Sequence, residues 1–405
     1  MHQVELRHLR VALLFWLLPI LVSLFPGCSD REDTGAATDH TTRPEVDESS
    51  YHVHPGDDIQ QVLDRAAADP VRKIVNVHAG TYRPRRPGQA FVCFLRRHDG
   101  ITLLAHGEVI LTAANPDLAD RSLDSFPAIV NHVVFFGDGI SSKTVLRGFK
   151  ITGANHYVTR LEEPERLGPP ADVPELHHHH PHLALFFFAD GGGIKVFGRS
   201  YPTIEDTTIF DNYASPCAGG ASIEHRGFTE QPVTFRNCVF QNNRCQVTGS
   251  AIDVLPGSAA VIENCLFVGN ISNTGEDYVS PEDHPISGQY GSGALTVFHE
   301  SSVRVRRCTF TDNWNGVDDR SSRSTYTDCI FWKNTHDGGI SSGGRYELDI
   351  SAGSRVTGCF IHGNQNDLNG NIESEDNVLD APDPNFDRDF RPRSPEFSDV
   401  GYRPQ

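Results

Sequence analysis

The sequence predicts an all-β fold, a single-stranded right-handed parallel β-helix (solenoid) with an N-terminal capping helix, over residues 51–401. Two short signatures alternate along this range, and the unit between them is too short to enclose a core. Such units stack, so equivalent side chains of successive rungs lie above one another. The chain has 405 residues, of which 38% are hydrophobic, and this is enough for one large domain.

The first signature is a Cys, an aromatic residue or Ile two positions later, and an Asn three positions after that. Its copies span 238–243, 265–270, 308–313, 329–334 and 359–364, with a weaker first copy at 208–212. From Phe210 to Ile361 the position of the aromatic residue or Ile recurs after 30, 27, 43, 21 and 30 residues. Strand alternation predicts that the Cys and the aromatic residue both point inward. The Asn is expected in the following turn, where its amide can bond the neighbouring rung.

The cysteines divide into two groups. A buried ladder of free thiols is predicted for the repeated copies, namely Cys238, Cys265, Cys308, Cys329 and Cys359. A metal or redox ladder is disfavoured, because C-x-x-C spacing is absent from this set. Cys217 and Cys245 fall in the same loop of adjacent rungs. Their spacing leaves two alternatives open, a Cys217–Cys245 disulfide or two free thiols.

The second signature is a Gly-rich corner between copies of the first. The corners are 192–194, 219–223, 249–252 and 291–295. Their alignment predicts an outward file of Lys195, Glu224, Asp253, Thr296, Asp318 and Asp349, with inward neighbours Ile194, Ile223, Ile252, Leu295, Val317 and Leu348. Glu224 and Asp253 are then expected about 5 Å apart on adjacent rungs, the spacing of parallel strands.

This file is the predicted site, with Lys195, Glu224, Asp253 and Asp318 as catalytic candidates. Two close carboxylates suit a glycosidase pair. They equally suit a Ca²⁺ ion on Glu224 and Asp253 that neutralises a uronate, with Lys195 or Arg226 as the base of a β-elimination. The substrate-binding candidates are His225, Arg226, Thr296 and Arg320. The other alternative is that the file is ordinary solvated surface.

The N-terminal segment predicts export. Residues 1–28 combine Arg7 and Arg10 with a short apolar run from 11 to 24, which is typical of a cleaved signal. The pair Gly27-Cys28 resembles a bacterial lipoprotein site, which makes Cys28 a candidate for lipidation. Residues 29–50 are polar and predict a flexible linker. The protein is therefore expected in the cell envelope as a lipoprotein, or secreted.

Two insertions interrupt the rungs, near 156–190 and 271–292. The first contains five histidines between 177 and 182. His178, His180 and His182 are candidate metal ligands, although a flexible His run also binds metals without forming a site. The second insertion is acidic and is expected to form a wall beside the groove that runs along the outward file.

Net charge limits the partners. The formal charge is −18, so nucleic acid and anionic membrane surfaces are repelled at long range. Membrane association is expected only through a lipid anchor. A polyanionic substrate requires local Lys or Arg residues or a bridging cation.

Several motifs resemble known families. The alternation of C-x-F-x-x-N with G-G-A-I resembles repeats of right-handed parallel β-helix proteins, including the polymorphic outer-membrane adhesins. Residues 53–60 and the amphipathic segment after them resemble the N-terminal cap of pectin-lyase-like β-helices. Asp57 and Gln60 predict a capping box there, and Asp69-Pro70 predicts its end. Residues 383–401 resemble the strand that closes such domains.

The resemblance implies a surface protein that binds a polysaccharide or cell-surface glycan. It also implies an enzymatic form of this function, in which a lyase or hydrolase cleaves the bound glycan. The paired Asp, His-Gly and Arg-x-Lys motifs of polygalacturonases are not visible in the sequence. A non-catalytic adhesin or structural β-helix is therefore the alternative function.

Overall fold

The computed structural model describes residues 49–157, 189–225, 227–272, 274, 293–335, 346–363 and 376–404. Several predictions lie outside these residues: the signal and linker with Cys28, the candidates Arg226, His178, His180 and His182, and most of both insertions. They stay predictions. Within the described residues, no helix is long and apolar enough to cross a membrane.

The first part of the chain forms the opening rungs. Its elements are β1 (Tyr51–Val53), α1 (Ile59–Ala68), β2 (Ile74–Tyr82), β3 (Gly88–Phe94), a 3-10 turn (Arg96–His98), β4 (Thr102–Thr112), β5 (Val130–Phe136) and β6 (Val145–Thr152). Helix α1 buries the apolar stripe that its sequence predicts, and it contacts β1, β2 and β3. Its role as the cap of the solenoid stays a prediction.

The start of α1 differs from the predicted capping box. Asp58 is the N-cap, and its Oδ1 accepts a hydrogen bond from the Gln61 amide at 3.1 Å. Asp57 instead accepts from the amide of His54 at 2.8 Å, in the turn before the helix. The helix ends at Ala68 with Asp69 as its C-cap, as expected, because Pro70 follows.

From residue 194 onward each rung contributes one strand to each of three ladders. Ladder A comprises β7 (Ile194–Phe197), β11 (Ala221–Glu224), β15 (Ile252–Val254), β18 (Leu295–Val297), β21 (Val317–Asp319) and β24 (Leu348–Ile350). Ladder B comprises β8 (Thr203–Glu205), β12 (Val233–Arg236), β16 (Ala259–Glu263), β19 (Ser302–Arg306), β22 (Thr325–Thr327) and β25 (Arg355–Thr357). Ladder C comprises β9 (Thr208–Phe210), β13 (Val239–Gln241), β17 (Leu266–Val268), β20 (Thr309–Thr311), β23 (Ile330–Trp332) and β26 (Phe360–Ile361).

The ladders are parallel throughout, which confirms the predicted all-β parallel solenoid. Strands β3 and β5 extend ladder A toward the N-terminus. Strand β6 pairs with β8 through its first half and with β9 through its second, so ladders B and C diverge from it. A further short pair joins β10 (Tyr213–Ala214) and β14 (Arg244–Cys245).

The core contains the predicted aromatic column. The ring centroids of Phe240, Phe267, Phe310 and Phe331 follow one another at 5.1, 4.2 and 5.0 Å, and Ile361 continues the register. The first copy is shifted by one residue from the prediction. Ile209, rather than Phe210, pairs with Phe240 and is buried.

The repeated asparagines form a second buried column. Each side-chain amide of Asn212, Asn243, Asn270 and Asn313 donates to Oδ1 of the next Asn, at 2.8 to 3.1 Å. At the end of this column, Asn334 donates from its backbone amide to the carboxylate of Glu347 at 3.1 Å. The left-handed backbone of the turn lies one residue earlier, for example at Asn242 with φ 52°. The repeated Asn therefore bonds the neighbouring rung, as predicted, but the residue before it is the one with the left-handed backbone conformation.

None of the cysteines among the described residues forms a disulfide. Cys238, Cys265, Cys308, Cys329 and Cys359 are buried and free, which confirms the ladder. Cys217 and Cys245 are also free and buried, so of the two alternatives the disulfide is wrong and the pair of free thiols is confirmed. Cys245 Sγ instead donates to the carbonyl of Thr248 at 3.1 Å, and Thr248 Oγ1 donates to Cys217 Sγ at 3.3 Å.

The C-terminal tail does not form the expected closing strand. Its only regular element among the described residues is a 3-10 turn at Pro395–Phe397. The amides of Gly401, Tyr402 and Arg403 donate to Asp328, Thr309 and Asn264 at 2.9, 2.9 and 2.7 Å. The tail thus crosses successive rungs instead of adding to one ladder. The repeated prolines of this segment, which lack an amide donor, account for the difference.

Candidate functional site

The register of ladder A defines the file of outward residues. Its members, in order, are Lys195, Ser222, Asp253, Thr296, Asp318 and Asp349. The predicted place of Glu224 is taken by Ser222, because Ala221 is the residue in register with Ile194 and Ile252. Glu224 lies two positions further along, opposite Phe197. The prediction that Glu224 and Asp253 are outward neighbours is therefore wrong.

Most of this file is buried although it points away from the core. Lys195, Asp253 and Asp318 have no exposed surface, and Thr296 has 1%. The interpretation as ordinary solvated surface is therefore wrong for these four residues. Burying ionisable side chains costs free energy unless partners compensate it, so their contacts determine what the file can do.

The first acidic centre surrounds the Lys195 ammonium and contains Asp190, Ser222, Glu224 and Asp253. Lys195 Nζ donates to Glu224 Oε2 at 2.8 Å, to Ser222 Oγ at 3.1 Å and to Asp190 Oδ2 at 3.3 Å. Ser222 Oγ in turn donates to Asp190 Oδ2 at 2.5 Å. Glu224 thus belongs to the site through Lys195 and not through Asp253.

Asp190 is the member of this centre that the sequence did not predict. It ends the first insertion and precedes the Gly-rich corner, so no repeat marks it. Burial raises the pKa of Asp190 to about 6, an effect that the charge of Lys195 opposes. Burial, and then the charge of Asp190, raise the pKa of Asp253 well above its ordinary value. One ligand atom each from Asp190, Cys217 and Asp253 lie within 4.8 Å of one another, so these residues can hold an ion.

The second acidic centre consists of Asp318, Arg320, Tyr346 and Asp349. Arg320 donates from Nη1 and Nη2 to the two oxygens of Asp349, at 3.2 and 2.8 Å. Its Nε lies 3.0 Å from Asp318 Oδ1, without the alignment of a hydrogen bond. Tyr346 donates to Asp318 Oδ2 at 3.5 Å. Burial raises the pKa of Asp318 well above its ordinary value, although Arg320 opposes this.

Thr296 separates the two centres. It pairs with Asp253 on one side and with Asp318 on the other, so the backbones of these two residues are two rungs apart, roughly 9–10 Å. Thr296 Oγ1 has no hydrogen-bond partner among the described residues. Its hydroxyl is therefore available to a ligand, but only to one that reaches a buried position.

His225 is not the substrate contact that the sequence predicted. It has no exposed surface, its Nε2 lies 2.9 Å from the carbonyl of Ser200, and its Nδ1 accepts from the amide of Ala259 at 3.4 Å. The ring bonds the backbone of two rungs in its neutral form. Burial lowers the pKa of His225 to about 4, although the bond to Ser200 opposes this.

We expect His225 to make the protein acid-sensitive. The unfolded chain takes up a proton there below about pH 6.5 and the folded chain only near pH 4. Its contribution to stability is therefore complete above pH 6.5 and is lost as the pH falls toward 4, by about 3 kcal/mol. Urea unfolding of wild type and His225→Gln between pH 7 and pH 4 tests this. The same pH slope for both proteins would contradict it.

Fold and register together define the class. The chain is a right-handed parallel β-helix protein with buried ionisable residues along one outer file. A family model described as a right handed beta helix region matches residues 175–275. No curated protein matches the sequence significantly.

Two solved structures of the catalytic domain of a GH87 alpha-1,3-glucanase are similar at low identity. The complex with tetrasaccharides has 12% identity and a TM-score of 0.31, covering 86% of this chain and 68% of that chain. The complex with nigerose has 10% identity and a TM-score of 0.24, covering 84% and 68%. At these TM-scores the likeness is weak and assigns no function to this chain.

Proposed function

We propose that the protein is a polysaccharide-binding glycoside hydrolase whose catalytic centre is the second acidic centre. The supporting observation is the pair Asp318 and Asp349, two carboxyls on neighbouring rungs that share one guanidinium but differ in environment. Asp318 is buried, and this burial raises its pKa well above the ordinary value, which favours the protonated form. Asp349 accepts two charge-assisted hydrogen bonds from Arg320 and is more exposed than Asp318.

Exposure favours this centre over the first. The side chains of Arg320 and Asp349 are 31% and 14% exposed, whereas those of Lys195 and Asp190 are fully buried. A glycan can therefore contact Arg320 and Asp349 directly. Asp318 is buried beside them and accepts a hydrogen bond from Tyr346, so the proposal requires neighbouring side chains to move before a sugar reaches this acid.

The chemistry follows from the two carboxyl states. Asp318 donates its proton to the leaving glycosidic oxygen, while the Asp349 carboxylate attacks the anomeric carbon from the other side. Neighbouring rungs place the backbones of the two residues about 5 Å apart, so their carboxyl groups can adopt the separation of roughly 5–5.5 Å that a retaining pair uses. Water then releases the sugar, with Asp318 accepting the proton. Lys195 is held between two carboxylates, so it is poorly placed as the base of a lyase.

A polysaccharide panel tests the proposal. We expect new reducing ends without the absorbance of unsaturated uronates, since hydrolysis forms no double bond. Asp318→Asn and Asp349→Asn are each expected to lower kcat/KM at least tenfold, about 1.4 kcal/mol. Asp211→Asn is the matched control, because Asp211 is exposed in the turn after β9, away from ladder A, and Asn tolerates its left-handed backbone.

Three results would contradict the proposal. Unsaturated products would identify a lyase. Full activity in both variants would place the chemistry elsewhere. Glycan binding without turnover in the wild type would favour the non-catalytic adhesin.

A further inference from the structure

The first acidic centre has a surplus of negative charge in a buried place. Asp190, Glu224 and Asp253 are carboxyls, and the positive side chain among them is Lys195. That ammonium contacts Asp190 and Glu224, so those charges are at least partly compensated. Asp253 receives a hydrogen bond from Thr248 at 3.3 Å, and Thr248 carries no charge. A buried carboxylate with so little compensation is costly unless a proton or a cation is present.

Cys217 provides a third donor next to the two aspartates. Its Sγ and one carboxylate oxygen from each of Asp190 and Asp253 lie mutually within 4.8 Å, and all three residues are buried. These residues come from three successive rungs: Asp190 from the end of the first insertion before β7, Cys217 from the loop before β11, and Asp253 from strand β15. Atoms at this spacing contract to a common ion with small side-chain rotations.

The hydrogen bonds leave one oxygen of each aspartate available. Lys195 and Ser222 bind Oδ2 of Asp190, while Thr248 binds Oδ2 of Asp253. Oδ1 of both residues is fully buried and has no hydrogen-bond partner among the described residues. The surrounding donors therefore fix the orientation of the two carboxylates, as outer-sphere partners do around metal ligands.

We propose that Asp190, Cys217 and Asp253 form a binding site for a thiophilic divalent ion of the Zn²⁺ type. Two carboxylate oxygens and a sulfur suit Zn²⁺, with a fourth position left for water, whereas Ca²⁺ requires oxygen ligands alone. The Cys217 thiol releases its proton to solvent when its sulfur coordinates the ion. The site differs from the Ca²⁺ site expected on Glu224 and Asp253, and it does not depend on hydrolysis at Asp318 and Asp349.

Co²⁺ is the decisive probe, because the sequence also contains the histidine run 177–182, which binds divalent ions without sulfur. The chelator-treated full-length protein is titrated with Co²⁺ and the cobalt–thiolate charge-transfer band is recorded. We expect one thiolate-bound ion per chain. Zn²⁺ is expected to displace it, and Ca²⁺ to leave the band unchanged.

Variants identify the thiol. Cys217→Ser is expected to abolish the band, and Asp253→Asn to weaken Co²⁺ binding at least tenfold. Cys245→Ser is the matched control, since Cys245 is equally buried and lies outside the trio. A band absent from the wild-type protein would overturn the proposal even if the variants misfold. So would a band that survives in Cys217→Ser and disappears in Cys245→Ser.

Discussion

Replacing Phe267 by Ala is expected to lower the free energy of unfolding by about 3–5 kcal/mol. Phe267 is fully buried and stacks on Phe240 and Phe310 at centroid distances of 5.1 and 4.2 Å. The truncation removes both ring contacts and leaves a cavity. Parallel rungs above and below fix the backbone, so the cavity cannot collapse easily.

Urea unfolding followed by far-UV circular dichroism measures this loss. Phe228→Ala is the matched control, because Phe228 is 50% exposed and its truncation is expected to cost less than about 1 kcal/mol. Equal losses for the two variants would show that the stacked column does not carry the stability attributed to it.

The second large effect is expected from Lys195→Met, which leaves Asp190 and Glu224 without their shared ammonium. Breaking a buried ion pair by removing one partner costs about 3–5 kcal/mol. Lys195 and Asp190 have no exposed side-chain surface, so solvent does not screen the loss. Methionine keeps most of the volume of the side chain, so the effect reports on charge and not on packing.

A compensating variant separates charge from shape. Lys195→Met combined with Asp190→Asn and Glu224→Gln is expected to recover most of the stability, because the two carboxylates that Lys195 contacts are then replaced by neutral amides. Lys150→Met provides the surface comparison, since that ion pair is exposed and contributes little. If Lys195→Met unfolds at the same urea concentration as the wild type, the first acidic centre is hydrated and not dry.

The fold could be predicted from the sequence because the same types of core side chain recur once in every rung. Phe240, Phe267, Phe310 and Phe331 stack in one column, and the asparagines after them bond from rung to rung. Each repeat supports the others, so an error in one copy does not change the prediction. The first copy shows this, since Ile209 rather than Phe210 enters the column without altering the fold.

The site was less predictable because it depends on a register difference of two residues. Ile223 is larger than Ala221 and is also buried, so hydrophobicity favoured the wrong alignment and placed Glu224 beside Asp253. The glycines of the corners were the better indicator of this register. A Cβ on Gly220 would lie 2.3 Å from the carbonyl oxygen of Ala251, and this close approach fixes the residue after Gly220 as the start of the strand.

Neither the role of Asp190 nor the burial of the outward file could be predicted from the sequence. Asp190 belongs to no repeat and meets Asp253 only through the stacking of rungs. An outward strand position predicts solvent, and nothing in the local sequence indicates that Lys195, Asp253 and Asp318 are covered. The Cys217–Cys245 pairing failed for a related reason. Shared loop position brings two thiols to adjacent rungs, but each sulfur bonds Thr248 instead.

The path of the C-terminal tail sets an order on folding. Most rung contacts join neighbours in the stack, but Arg403 bonds Asn264 across 139 residues of chain. Contacts of such sequence separation form late, because the intervening chain must first become compact. The rungs that carry Asn264, Thr309 and Asp328 therefore have to be stacked before residues 401–403 can dock. We expect the tail to dock last during folding and to detach first from the folded protein. Its amides should therefore exchange hydrogen earlier than those of the rungs beneath it.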